Sequence, residues 1–257
     1  MRFRVLGSLM VRNGAGWVPV PAEQQRVVLA VLLTEGGAVV STERLVDAVW
    51  AERPPRRAVN TVHAYVMRLR QRLGDEERRL IVTRCRGYEL LLDRDDLDAT
   101  IFEHLVSSGR LAMDTGQTKE AATRLSRALA LWRGPAFADV PAIPSLTGRT
   151  AHLEQERLTA QEDRLVALLD LGRHGAVVDE LFRLVEETPL REQRWALLMR
   201  ALAGRGRRAE ALAVFRRASL VLRSELDIAP GPQLRELRRA ILTEGSLRQP
   251  VYGRRLG

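Results

Sequence analysis

The spacing of apolar residues changes character partway along the chain. Within residues 1–20, apolar and polar positions alternate around an Asn13-Gly14 turn signal, which predicts a short antiparallel sheet. Residues 22–73 carry apolar residues at helical spacing, interrupted by glycine and proline pairs, and residues 81–90 alternate again. From residue 93 onward the pattern is almost wholly helical. The pattern therefore predicts a mixed α+β region followed by an all-helical region.

The mixed region contains three predicted helices. The first ends at Gly36-Gly37, and the second follows Ser41, whose hydroxyl can cap it, and ends before Pro54-Pro55. A brief strand is predicted at residues 39–40, and the third helix spans residues 59–73. This order is that of a helix-turn-helix, and the alternating stretch at residues 81–90 predicts a wing.

The third predicted helix has two chemically different faces. Its apolar stripe, which we expect to pack on the core, contains Val59, Val62, Val66, Leu69 and Leu73. The opposite face contains Asn60, Thr61, Ala64, Met67, Arg68 and Gln71, with His63, Arg70 and Arg72 on its flanks. Guanidinium forks and short polar groups suit the major groove of DNA, so we interpret this segment as a recognition helix. A solvated arginine face without a binding role is the alternative.

Two kinds of DNA contact are predicted for this region. Arg68 is the best candidate for a bidentate contact to guanine, while His63 is equally suited to packing against the wing. The base-reading candidates are Asn60, Thr61, His63, Ala64, Met67 and Arg68. The phosphate-contact candidates are Arg56, Arg57, Tyr65, Arg70, Gln71, Arg72, Thr83, Arg84 and Arg86.

The helical region contains a repeated pattern around three glycines. Gly116, Gly172 and Gly206 each have Ala or Leu four residues before, Ala or Val five residues after, and Leu or Phe nine residues after. Gly172 and Gly206 are 34 residues apart, the period of tetratricopeptide helix pairs. The pattern therefore predicts tetratricopeptide-like repeats.

Proline-rich stretches interrupt this repeat and follow it. An insertion at residues 130–149 contains Pro135, Pro141 and Pro144 as predicted breakers. Residues 230–242 predict a final helix that caps the stack, and residues 246–257 predict a flexible tail.

Composition and charge limit the classes of function. The net charge is +9, and residues 1–92 hold fifteen arginines against nine acidic residues, which indicates an anionic partner such as nucleic acid. The single cysteine, Cys85, excludes an internal disulfide, and no histidine or cysteine pair has metal-ligand spacing. Hydrolase, metalloprotease and phosphate-loop motifs are absent, so we expect no enzyme activity, cofactor or bound metal. The sequence contains no membrane-spanning apolar run, and we expect a cytoplasmic protein.

The sequence resembles the Streptomyces antibiotic regulatory protein family of transcriptional activators. Its first 92 residues resemble the winged helix of response regulators in two motifs, NTVHAYVMRLRQRLG and VTRCRGYEL. The helical half resembles the bacterial transcriptional activation domain in LDATIFEHL, ALALWRGPAFADV, ETPLREQRW and RAEALAVFRRASLVLRSELDIAPGPQL. Family members usually carry Pro-Pro where this chain has Cys85-Arg86, so the wing tip here is more basic.

The resemblance implies a fold and a function. It implies a winged helix at residues 1–92 and an activation domain at residues 93–245, in a mainly α protein. It also implies that protomers pair on direct repeats near a promoter of an antibiotic gene cluster and recruit RNA polymerase holoenzyme through its sigma factor. Two alternatives remain open: a helical-repeat scaffold whose winged helix serves protein contacts, and a regulator that binds structured RNA.

Overall fold

The computed structural model describes residues 1–14 and 16–243. Two small sheets lie near the amino terminus, and long helices follow. The first sheet is antiparallel with strand order β1-β2-β3, at Phe3–Arg4 (β1), Met10–Asn13 (β2) and Gly16–Pro19 (β3). The second has order β4-β6-β5, at Val39–Ser41 (β4), Ile81–Arg84 (β5) and Gly87–Leu90 (β6). The predicted tail at residues 246–257 lies outside the described residues.

Ten helices are found in the described residues. The first three are Glu23–Thr34 (α1), Thr42–Trp50 (α2) and Ala58–Leu73 (α3). The others are Asp98–Asp114 (α4), Thr118–Leu129 (α5), Pro144–Asp170 (α6), His174–Glu187 (α7), Glu192–Gly204 (α8), Arg208–Leu226 (α9) and Pro232–Thr243 (α10).

Helices α1, α2 and α3 form a helix-turn-helix core. α1 packs against both α2 and α3, and it buries every side chain from Val27 to Leu33. The Ser41 hydroxyl accepts a hydrogen bond from the Arg44 amide at 3.1 Å and caps α2, as the sequence predicts. β5 and β6 form a hairpin after α3, in the position of a wing. The predicted class, a mainly helical chain with an amino-terminal winged helix-turn-helix, is confirmed.

The chain divides into two compact units. One contains Met1–Ser107 and Ser126–Thr159, and the other contains Ser108–Leu125 and the residues from Ala160 onward. The domain boundary that we predict after residue 92 falls inside the first unit and stays a prediction. The first unit extends further because residues 133–139 pair with the segment before β2. The amides of Arg133 and Phe137 donate to the carbonyls of Leu6 and Val5, each at 2.8 Å.

A buried carboxylate completes that pairing. Asp98, at the start of α4, is 0% exposed and accepts hydrogen bonds from the Val5 amide at 2.8 Å and the Leu6 amide at 3.3 Å. Its Oδ2 also accepts a hydrogen bond from the guanidinium of Arg133. Asp98 therefore holds two segments of the first unit that are far apart in sequence.

The three glycines of the predicted repeat pattern lie at three equivalent helix ends. Gly116, Gly172 and Gly206 have φ angles of 74°, 73° and 75°, a left-handed conformation that favours glycine. In each case the amide of the residue after the glycine donates a hydrogen bond of 2.8–3.0 Å. The acceptor is the carbonyl of the residue four positions before the glycine. These are Schellman motifs, and they close α4, α6 and α8. The residues five positions after each glycine are fully buried, as the pattern requires.

The structure corrects the predicted insertion. Within the predicted insertion, residues 130–143 lie outside helices. Pro144 does not interrupt a helix but is the first residue of α6. Proline is well suited to the first turn of a helix because the amide it lacks would have no intrahelical partner there. Residues 144–149 therefore belong to a 27-residue helix.

The second unit packs around α8. Every residue from Arg194 to Ala203 is buried, and α7, α9 and α10 all contact this helix. The fully buried Arg194 guanidinium donates to Glu162 at 3.2 Å and to the Thr188 hydroxyl at 2.5 Å, so its charge is compensated. No described helix is both long and apolar enough to cross a bilayer.

Candidate nucleic-acid interface

Helix α3 packs through one face. Ala58, Val62, Val66 and Leu69 are buried, and Gly74 ends the helix with a left-handed φ of 65°. Val59 is a correction to the predicted apolar stripe, because it is 47% exposed in the first turn of α3. The buried row therefore runs from Ala58 through Val62, and the Val59 side chain adds an apolar group to the exposed surface.

The opposite face of α3 is open to solvent. Asn60, His63, Arg68 and Gln71 are exposed, and Met67 is 57% exposed. Thr61 and Ala64 are partly buried, and the Thr61 hydroxyl donates to the Arg57 carbonyl at 3.1 Å. All six predicted base-reading residues thus remain at least partly accessible along one helix.

The amino terminus of α3 has uncompensated backbone donors. The Ala58 amide donates to Pro55 at 2.9 Å and the Thr61 amide to Arg57 at 3.0 Å. No group in residues 1–14 or 16–243 accepts a hydrogen bond from the amides of Val59 and Asn60, and no side chain caps this end. Such a terminus attracts anions through its free N–H groups and its helix dipole.

Apart from Arg70, the predicted phosphate-contact arginines fall into three groups. Within the described part of the chain, the exposed Arg56, Arg57 and Arg86 have no carboxylate partner. Arg84 is paired across the wing with Glu89 at 2.5 Å. Arg72 donates to the Pro19 carbonyl on β3 at 3.2 Å. Among the predicted DNA contacts, and within the described residues, the first group and Arg68 on the reading face are the arginines whose guanidinium has no internal partner.

Arg70 is a correction. It is 8% exposed, and its Nε and Nη2 donate to the Ile81 carbonyl at 3.0 and 2.5 Å. Nη2 also donates to the Thr83 hydroxyl at 2.9 Å. Arg70 and Thr83, which are both predicted to contact phosphates, therefore bond to each other. Burial lowers the pKa of Arg70, and the neighbouring Arg78 lowers it further. The Arg70 side chain joins α3 to the wing and does not point to solvent.

Two aromatic side chains of α3 pack within the fold. Tyr65 is partly buried and stacks on Trp50, with ring centroids 6.2 Å apart and an interplanar angle of 23°. His63 meets Tyr88 edge to face, also at 6.2 Å. Of the two roles left open for His63, the structure contains the packing against the wing, and the residue is also exposed to solvent.

The wing hairpin needs glycine at the first residue of β6, next to its tip. A Cβ at Gly87 would lie 1.9 Å from the Val40 carbonyl oxygen on β4, so the strands approach too closely there for any side chain. Cys85 and Arg86 lie at the tip between β5 and β6, and both are exposed. This glycine therefore allows three strands to pair, and beside it the Arg86 carbonyl accepts a hydrogen bond from the Thr42 amide at 3.0 Å.

Comparisons with known proteins agree with this architecture. A family model described as "Bacterial transcriptional activator domain" matches residues 97–242, and one described as "Transcriptional regulatory protein, C terminal" matches residues 21–90. The regulatory protein DnrI of Streptomyces peucetius is 33% identical over 251 residues, which cover 94% of this chain and 92% of DnrI. The chain belongs to the Streptomyces antibiotic regulatory protein family.

Other relatives of this family member are longer. The regulatory protein AfsR of Streptomyces griseus is 37% identical over 242 residues, which cover 94% of this chain but 24% of AfsR. The chain therefore spans about a quarter of that relative. A solved structure of Mycobacterium tuberculosis EmbR, in complex with a low affinity phosphopeptide, matches with a TM-score of 0.88 and 32% identity, over 94% of this chain and 64% of EmbR. The family consists of transcriptional regulators and not of enzymes.

The structure also assigns a role that sequence patterns did not show for this regulator. The Asp75 carboxylate, directly after the end of α3, accepts from the amides of Arg79, Leu80 and Ile81 at 2.7–2.9 Å. Asp75 thereby sets the first residues of β5. An aspartate between a helix-ending glycine and a strand is a signal for such a turn, because its carboxylate can accept from nearby amides.

Proposed function

We propose that this regulator is a sequence-specific DNA-binding transcriptional activator. The observation that carries the proposal is the open face of α3, which presents Arg68 without an internal partner among the described residues, on a helix whose amino terminus is uncapped. A helix of 16 residues is about 24 Å long, at ~1.5 Å per residue, and its width fits the major groove. This face can therefore lie along base edges while the flanking groups hold phosphates.

The side chains on this face divide by chemistry. Arg68 can donate two parallel hydrogen bonds to guanine, and the Asn60 amide group suits adenine. The apolar Met67 suits a thymine methyl group, and His63 and Ala64 contact neighbouring positions. Arg56, Arg57 and the Val59 and Asn60 amides neutralise a phosphate at the start of the helix, with Gln71 toward its far end. Arg86 approaches the backbone or the adjacent minor groove from the wing.

The helical region supports the activator part of the proposal. Its three Schellman corners and the packing of α7, α8 and α9 in sequence are features of tetratricopeptide-like stacks, which characteristically bind protein partners. We infer that it holds RNA polymerase holoenzyme, including the sigma factor, at promoters of an antibiotic gene cluster. Two protomers on direct repeats near one helical turn apart lie on one face of the DNA, in the cytoplasm on the bacterial nucleoid.

Selection of bound sequences from random duplex DNA tests the proposal. The affinities for the selected site and for a scrambled duplex are then measured across salt concentrations, which separates base reading from charge attraction. We expect Arg68→Ala to weaken binding to the selected site by about 1–3 kcal/mol while it weakens binding to scrambled DNA far less. Competition with duplex RNA checks that the partner is DNA.

Arg94→Ala is a charge-matched control. Arg94 is exposed and follows β6 at the end of the hairpin opposite the tip, so its loss lowers both affinities by a similar small factor. A wild-type protein that does not distinguish selected from scrambled duplex would refute the proposed function. Equal losses for both duplexes in Arg68→Ala would refute the base-reading role of Arg68.

A further inference from the structure

The join between α3 and the wing depends on charged side chains at the carboxyl end of the helix. Arg70 donates two hydrogen bonds to the Ile81 carbonyl and one to the Thr83 hydroxyl, at 2.5–3.0 Å. The Asp75 carboxylate accepts from the Ile81 amide at 2.8 Å. Both backbone groups of Ile81 are therefore held by side chains that belong to, or directly follow, the recognition helix.

The second strand of the wing is attached to the same helix. Tyr88 on β6 pairs with Thr83 on β5, and its ring centre lies 5.8 Å from the Arg70 guanidinium carbon. His63, about two turns before Arg70 on α3, makes a T-shaped contact with Tyr88. Both strands of the hairpin thus contact α3 through Arg70, and the guanidinium lies at the base of the wing.

The wing tip is held on two sides. The Arg86 carbonyl accepts a hydrogen bond from the Thr42 amide at 3.0 Å, while Arg70 holds β5 against α3. Arg84 pairs with Gly87, so the chain reverses at Cys85-Arg86 and the tip lies about 6–7 Å beyond Thr83, at ~3.3 Å per residue. A tilt of β5 by about 20° would move the tip by about 2 Å, which is more than a hydrogen bond to a phosphate oxygen tolerates. The contact that Arg86 makes with DNA therefore depends on both anchors, and Arg70 is the one that belongs to α3.

We propose that Arg70 is a positioning residue that sets the wing tip in fixed register with the reading face of α3. This inference rests on the proposed DNA-binding function and deepens it. Arg70 itself does not touch DNA. It acts through Arg86, so that base reading by α3 and backbone contact by the wing are made together at one spacing.

The geometry requires arginine at this position. Nε and Nη2 converge on one carbonyl oxygen while Nη2 also reaches the Thr83 hydroxyl, which uses the planar fork of the guanidinium. The single ammonium of a lysine keeps the charge but lacks this fork. Arg70→Lys is therefore a conservative change that loosens the base of the wing without leaving it uncharged.

A double-mutant cycle between Arg70→Lys and Arg86→Ala tests the inference, with affinity for the selected duplex as the readout. We expect Arg70→Lys to weaken binding about tenfold when Arg86 is present, and less than about twofold when Arg86 is already Ala. A merely structural defect would cost the same factor in both backgrounds. Equal losses, or no loss in either background, would overturn the inference.

Two further variants keep the test decisive. Thr83→Val removes one acceptor of the Arg70 guanidinium and retains a strand-forming residue. If Arg70→Lys fails to fold, Thr83→Val replaces it in the double-mutant cycle with Arg86→Ala. Arg72→Lys is the matched control, because Arg72 donates to Pro19 on β3 and its effect should be additive with Arg86→Ala. Coupling of Arg72 to Arg86 as strong as that of Arg70 would contradict the assignment.

The outcome is distinguishable from failure of the proposed function. If the wild-type protein does not prefer the selected duplex over a scrambled one, the DNA-reading function itself fails. If that preference is present and the Arg70–Arg86 cycle is additive, only the positioning role is wrong.

Discussion

His174 shows how burial of one ring changes the response of the protein to acid. It begins α7 after the Gly172 corner, where its Nδ1 is buried and has no hydrogen-bond partner among the described residues. A Cβ at Gly204 would lie 2.6 Å from this ring, so the imidazole rests directly on the α8 backbone. Burial lowers the pKa of His174 from its usual 6.5, and the positive charge of Arg200 lowers it further.

The lowered pKa predicts a loss of stability in acid. Below about pH 6.5 the unfolded chain binds a proton at His174 that the folded chain does not, so the free energy of unfolding falls until the pH reaches the folded-state pKa. We expect the stability advantage of wild type over His174→Asn to shrink between pH 7.5 and pH 5.5. Urea unfolding at a series of pH values measures this, and a constant difference across that range would contradict it.

The contrast between Arg68 and Arg70 shows what a sequence predicts about single residues. Helical spacing placed Arg68 on the outer face, where it lies, and placed Arg70 on the flank of that face. The structure turns Arg70 inward because its acceptors, at Ile81 and Thr83, lie 11 and 13 residues further along the chain. A periodic pattern describes one helix and contains no information about a strand that later packs against it.

At the scale of elements, the glycine corners were predictable because their cause is local. A glycine in the left-handed conformation closes its own helix, and the residues that pack around it lie within nine positions. Pro144 was misjudged for the opposite reason. A proline marks a boundary, but the residues after it decide whether a loop continues or a helix starts, and here α6 starts.

Gly148 lies inside α6 and Gly172 closes the same helix, so we expect replacement by alanine to have opposite effects on stability at the two positions. Gly172→Ala places a Cβ at φ 73° and should lower the free energy of unfolding by about 1–2 kcal/mol. Gly148→Ala lies inside α6 with no heavy atom within 4 Å of the added Cβ, and should raise it by about 0.5–1 kcal/mol. Chemical unfolding of both variants is the measurement. If both variants changed the free energy of unfolding in the same direction, the roles given to Gly172 and Gly148 would be wrong.

At the scale of the whole molecule, the compact unit that contains the winged helix also contains residues beyond 92. The Leu9 amide donates to the Asp139 carboxylate at 2.6 Å, and Arg26 on α1 donates to the Asp139 carbonyl at 2.7 Å. The spacing of apolar residues becomes wholly helical near residue 92, and this change predicts the order of the two regions. It could not predict that residues 133–139 return to the amino terminus, because these contacts join residues more than 100 positions apart.

Asp98 provides a single-residue test of this extended unit. Asp98→Ala removes the acceptor of two buried amides and the partner of Arg133, so it should lower stability by on the order of 3 kcal/mol. The exposed neighbour Asp95→Ala is the control and should change stability by less than about 0.5 kcal/mol. Urea unfolding and amide exchange at Val5 and Leu6 are the measurements. Unchanged protection of these amides in Asp98→Ala would refute the role of the carboxylate.

The return of residues 133–139 to the amino-terminal strands bears on how such regulators can be recombined. A chimaera cut after residue 92 would separate Val5, Leu6 and Leu9 from their native acceptors and donors and join them to a foreign loop. Its misfolded junction would lie in the half that carries α3 and the wing, although every motif of that half was inherited intact. Exchange of the proposed DNA-reading surface between relatives therefore requires transplanting residues 133–139 together with the winged helix, or grafting the α3 surface alone.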